Sequence, residues 1–106
     1  MISNDAAGLA RELDLVGRDL RRRRLGGADA GTVHRLAQAL ADAAADARGE
    51  PRRPVPRLGD HALPDQVAVT GRDLLDALAE HPAEGRPAEL DAVAAVLAEV
   101  RRGARG

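Results

Sequence analysis

The sequence predicts an all-α fold, and three observations predict it. Apolar residues recur at spacings of three and four through four separate segments, the period of an amphipathic helix and not of a strand. Glycine and proline interrupt the pattern between those segments. The third observation is a repeat: LDLVGRDL at Leu13 to Leu20 and VAVTGRDL at Val67 to Leu74 share one register, in which a large aliphatic (Leu13, Val67) is followed four residues on by glycine (Gly17, Gly71) and then by Arg-Asp-Leu. The expected architecture is two similar helical hairpins joined by a Pro/Arg-rich crossover, forming a four-helix bundle or an intertwined helical dimer. At 106 residues this is a single helical domain, with one hairpin over about 4–48, the crossover over 49–62 and the second hairpin over about 63–102.

The first helix is expected to open at Ser3 or Asn4, residues that cap well. Leu9, Leu13, Val16 and Leu20 form its apolar stripe, and the helix runs to about Arg24, where Gly26-Gly27 ends it. Asp29 is the expected N-cap of the second helix. That helix turns Val33, Leu36, Ala37, Leu40, Ala44 and Ala47 to one face, turns Arg35, Gln38, Asp42 and Asp46 to the other, and stops at Gly49. GEPRRPVPRLGDHA follows, with Pro51, Pro54 and Pro56 close enough to hold an extended run. That length spans more than a helix of the size expected here, so the second and third helices are free to run parallel or antiparallel. Pro64 suits the first turn of the third helix and Asp65 its positive end. Val67, Gly71, Leu74 and Leu78 form its stripe, and His81-Pro82 closes it. Glu84 to Arg86 then turn the chain into a fourth helix, opened by Pro87 and Glu89 and carrying Leu90, Val93, Leu97 and Val100 to its end at Arg101-Arg102-Gly103.

Composition narrows the function classes. There is no Phe, Tyr, Trp, Cys or Lys, and all sixteen basic residues are arginine. Without aromatics there is no base-stacking platform for single strands, no cage for cations and no aromatic interface anchor. A formal charge of −1 argues against a surface tuned throughout to a polyanion. Zero cysteine removes disulfides, thiolate nucleophiles and the usual zinc ligands together. MISNDAAGLARELDL lacks the apolar segment of a signal peptide and no run approaches eighteen apolar residues, so a cytoplasmic protein without a membrane span is expected. Large aliphatics are few, fourteen Leu and eight Val, which leaves a thin margin for a monomer and points to a homo-oligomer or a protein partner.

No arrangement reads as an enzyme or a cofactor site, and none as a small-molecule substrate site. His34, His61 and His81 are too far apart for a metal motif, and Asp60, His61 and Asp65 beside Pro64 read as caps of the third helix. Ser3, Thr32 and Thr70 have no adjacent histidine to make a nucleophile and base pair. Gly17 and Gly71 each cost about 1 kcal/mol relative to alanine within a helix, so close contact with the alanine-rich second and fourth helices is expected at both. Leu15 and Val69 occupy equivalent positions in the two repeated helices, each well off its stripe, and Val96 is similarly displaced on the fourth. These three mark a second apolar surface, covered either by the crossover or by a partner. The primary expectation is therefore a non-enzymatic protein-interaction or assembly module acting through apolar helix faces. The alternative is a small nucleic-acid-associated protein using Arg18, Arg21, Arg22, Arg23 and Arg24, whose guanidinia suit phosphate as well as they suit the negative end of a helix.

Overall fold

The computed structural model describes residues 6–81 and 87–105. These form α1 (Ala6–Arg22), α2 (Gly27–Arg48), a 3-10 turn (Asp60–Ala62), α3 (Leu63–Glu80) and α4 (Pro87–Arg105), with no strand among them. The protein is all-α, with four helices where the apolar period placed four. Ser3, Asn4 and the Glu84 to Arg86 turn lie outside the described residues.

Two helix boundaries differ from expectation. Asp29 is not the N-cap of α2: Gly26 takes that place in extended conformation, and Asp29 sits in the first turn, where its charge still meets the positive end of the helix. At the other end of the chain, α4 runs through Gly103 to Arg105. The α2 terminus behaves as its glycine requires. Gly49 adopts φ 68°, its N–H donates to the Asp46 carbonyl at 3.2 Å and the Glu50 N–H to the Ala45 carbonyl at 2.8 Å, a Schellman closure that returns the chain alongside the helix it has just left.

The closest packing is between α2 and α3, α2 and α4, and α1 and α3. The sequence neighbours within each expected hairpin are thus not the helices that pack most. α2 is central, and its eight buried residues explain how: Ala30, Ala37, Ala43, Ala44 and Ala47 surround Val33, Leu36 and Leu40, so small side chains let neighbours approach on more than one side. The core is completed by Leu20 of α1, Val67 and Leu74 of α3 and Val93 of α4, each almost wholly buried.

Ion pairs show the directions. Arg48, at the C-terminal end of α2, reaches Asp73 at 2.7 Å and Glu80 at 3.2 Å in the C-terminal half of α3, so these helices run parallel. Arg35 grips Glu99 with two bonds of 2.8 and 2.9 Å, and Asp29 lies beside Gly103, so α4 runs antiparallel to α2. The Arg35 bonds hold the Glu99 carboxyl below the usual carboxylate range.

A parallel α2 and α3 oblige the crossover to travel the length of α2 before α3 can begin, and the polar face of α2 carries it. His34, Gln38, Asp42 and Asp46 are spaced one turn apart on that face. Arg52 is held by Asp46 through bonds of 3.0 and 2.6 Å, with Asp42 at 3.8 Å. Gln38 donates to the Arg53 carbonyl at 3.0 Å and accepts the Val55 N–H at 2.8 Å. His34 Nε2 donates to the Val55 carbonyl at 3.0 Å, and Gln66 of α3 donates to the Pro56 carbonyl at 2.8 Å. Prolines cannot donate and extended chain has no internal partners, and side chains of α2 and α3 pair with the Arg53, Val55 and Pro56 carbonyls and the Val55 N–H.

Candidate functional site

The repeated segments face each other. A Cβ added at Gly71 would stand 3.1 Å from Leu13 Cδ1, and Arg21 pairs with Asp65 at 3.2 Å, so rising residue numbers in α1 meet falling numbers in α3 and the two helices are antiparallel. Between them lies an open groove of about 360 Å³. Its walls are Ala10, Leu13, Asp14, Gly17, Arg18 and Arg21 from α1, with Val67, Ala68, Gly71, Arg72 and Leu75 from α3. Ala10 apart, each α1 wall residue lies 54 positions before an α3 wall residue, from Leu13 with Val67 to Arg21 with Leu75. The two helices are thus related by a local pseudo-two-fold axis that passes through the groove, and equivalent residues present the same side of the pair to solvent.

The two glycines, alike in sequence, differ in surroundings. Gly71 is buried under Leu13, so close approach does compensate its helix penalty, but the neighbour is α1 and not the alanine-rich α2 or α4. At Gly17 a Cβ would meet nothing within 4 Å, so the expected close contact is absent and the residue leaves open floor in the groove.

The off-stripe aliphatics divide in the same way. Leu15 is 63% and Val69 68% exposed, at equivalent positions on the outer shoulders of the pair. The crossover does not cover them, because it is bound to the polar face of α2. Val96 does not belong with them: it is half-buried and packs against the core. Leu58, on the crossover, is the other large aliphatic with high exposure among the described residues.

The arginine cluster is largely engaged with carboxylates. Arg18 pairs with Asp14 at 3.0 Å, Arg21 with Asp65 at 3.2 Å, and Arg23 with Asp19 at 3.3 Å and Asp29 at 3.5 Å. Arg22 and Arg24 make no ion pair among the described residues; with Arg21 and Arg23 they border a hollow of about 530 Å³ whose opposite wall includes Asp60, His61 and Asp65. Carboxylates opposite the guanidinia oppose phosphate there. Of the histidines, His34 holds the crossover, while His61 and His81 are exposed. Among the described residues no three of His, Cys, Asp and Glu gather as metal ligands, and no helix is long and apolar enough to cross a membrane.

Sequence reasoning placed Leu15 and Val69 as a pair and named Gln38, Asp42 and Asp46 as a polar face, but did not connect that face to the crossover. The signal was available: a four-residue polar period, His34 included, ahead of a segment with three prolines and unsatisfied carbonyls. Compared with protein families, with curated proteins and with solved structures, the chain finds no match.

Proposed function

We propose that this chain is a non-enzymatic helical assembly module that binds protein through the outer face of the α1/α3 pair. The observation that carries the reading is the matched exposure of Leu15 and Val69, on helices whose other large aliphatics are buried or partly buried and in positions equivalent under the local pseudo-two-fold. Aliphatics repeated in register beside an open groove are costly to leave in water and suit a complementary helical surface. The alternative role, phosphate binding by Arg18 and Arg21 to Arg24, draws support only from Arg22 and Arg24, since Arg18, Arg21 and Arg23 already have carboxylate partners.

The test is the double variant Leu15→Glu with Val69→Glu, followed by hydrodynamic mass in purified form and in extract of the native host. Surface substitutions usually change stability by within about 0.5 kcal/mol, so the variant should keep its far-ultraviolet dichroism. It should lose association, because charge enters an apolar contact. A wild-type protein that stays at monomer mass in both settings would remove the interaction reading, and affinity for nucleic acid that falls steeply with salt would favour the arginine cluster.

A further inference from the structure

We propose that the occupant of the α1/α3 outer face is a second copy of this chain, with α1 of each copy laid antiparallel on α3 of the other. The inference rests on the interaction reading above and supplies the partner. Its ground is the charge pattern beside the exposed aliphatics. Residues spaced four, three and four fall on one helical stripe. On α1 that stripe is Arg11, Leu15, Arg18, Arg22, and on α3 the equivalent positions are Asp65, Val69, Arg72, Asp76, all exposed. The aliphatic and the inner arginine are thus the same in kind on both helices, while the two ends are basic on α1 and acidic on α3.

Of the ways two such stripes can meet, one avoids like charges. α1 against α1 sets arginine on arginine at both ends, and α3 against α3 sets aspartate on aspartate. α1 against α3 in parallel matches the ends but opposes Arg18 and Arg72. Antiparallel, Arg11 meets the partner's Asp76 and Arg22 the partner's Asp65. Arg18 then lies opposite the partner's Val69 and Leu15 opposite the partner's Arg72, so the arginine stems extend along apolar side chains with their heads in water. Within the chain Arg18 already pairs with Asp14 at 3.0 Å and Arg72 with Asp76 at 3.5 Å, which lowers the charge at the centre of the contact.

Both stripes lie on the same side of the helix pair, because the pseudo-two-fold through the groove exchanges them. A true two-fold axis running along the helices then makes both α1-on-α3 contacts at once, a closed isologous dimer rather than a filament. The same dimer covers the groove, including the open floor at Gly17 that nothing within the chain explains.

The absence of cysteine allows a direct test. Leu15→Cys and Val69→Cys proteins, each treated alone with a short bis-maleimide, should give little covalent dimer, whereas an equimolar mixture should give a dimer whose cross-linked peptides join residue 15 to residue 69. Arg11→Glu with Arg22→Glu, and separately Asp65→Arg with Asp76→Arg, should each weaken self-association by about tenfold or more, and mixing the two should restore it as a heterodimer. Cross-linking of Leu15→Cys to itself, a mixture no better than its components, or a wild-type chain monomeric throughout the micromolar range would overturn the proposal. If the pure chain is monomeric but enters a larger complex in host extract that the double glutamate variant loses, the second copy is wrong and the interaction reading stands.

Discussion

Replacing Gln38 with alanine tests how the crossover is held, and the structure gives both size and place for the effect. Gln38 accepts the Val55 N–H at 2.8 Å and donates to the Arg53 carbonyl at 3.0 Å and to Asp42 at 2.9 Å. A hydrogen bond of this kind contributes about 0.5–1.5 kcal/mol net. Arg53 is exposed, so water replaces its lost donor, whereas Val55 is half-buried and its N–H is left poorly solvated. The expected loss is therefore about 1–2 kcal/mol in chemical denaturation, below the sum for two fully buried bonds. Hydrogen exchange locates it: the Val55 amide should exchange at least about tenfold faster, while the Leu40 amide, bonded within α2 and buried, should change only as global stability does. The Arg52 contacts with Asp46 and the His34 bond remain, so the crossover should loosen without detaching. Unchanged exchange at Val55 would refute the reasoning, since it would mean that the polar face of α2 does not hold the segment.

The two glycines of the repeat should respond unequally to alanine. Gly17→Ala, with nothing in its way, should raise stability by about 1 kcal/mol from helix propensity alone. Gly71→Ala should gain less, because Leu13 must move aside, and equal gains in thermal or denaturant unfolding would show that α1 does not press on α3 there. Leu74→Ala, at a position with no exposure, should cost about 2–5 kcal/mol in the same measurement. The Arg35–Glu99 pair makes stability pH-dependent in one direction. Glu99 is held below its unfolded-state pKa, mainly by the hydrogen bonds from Arg35, so its contribution is complete above the ordinary glutamate range and disappears as pH falls through the depressed value. Glu99→Gln should flatten that part of the acid unfolding profile, and a profile identical to wild type would show the pair to be inert.

The fold class was legible because four apolar stripes are a local signal, readable from a period of three and four without any partner. Which helices pack together is not local. The repeat of LDLVGRDL by VAVTGRDL read as one hairpin echoing another, but the repeated helices are each other's neighbours, in contact where Leu13 approaches Gly71 and where Arg21 pairs with Asp65. Similarity in sequence carries no direction, so it could not distinguish two copies of a unit from two halves of one interface. The crossover was long enough for either sense of α3, and the contacts consistent with the parallel sense join residues far apart in the chain, Arg48 with Asp73 and Gln38 with Val55. Once α2 is committed to α3, to α4 and to the crossover, its polar side included, the outer side of α1 and α3 is where large aliphatics are left uncovered in register. The departures of Leu15 and Val69 from their stripes, which a core-only reading leaves unexplained, are accounted for in the proposed dimer, where each would lie against the other's helix in a second copy, and Val96, with no equivalent across the repeat, is the one that turned inward to the core.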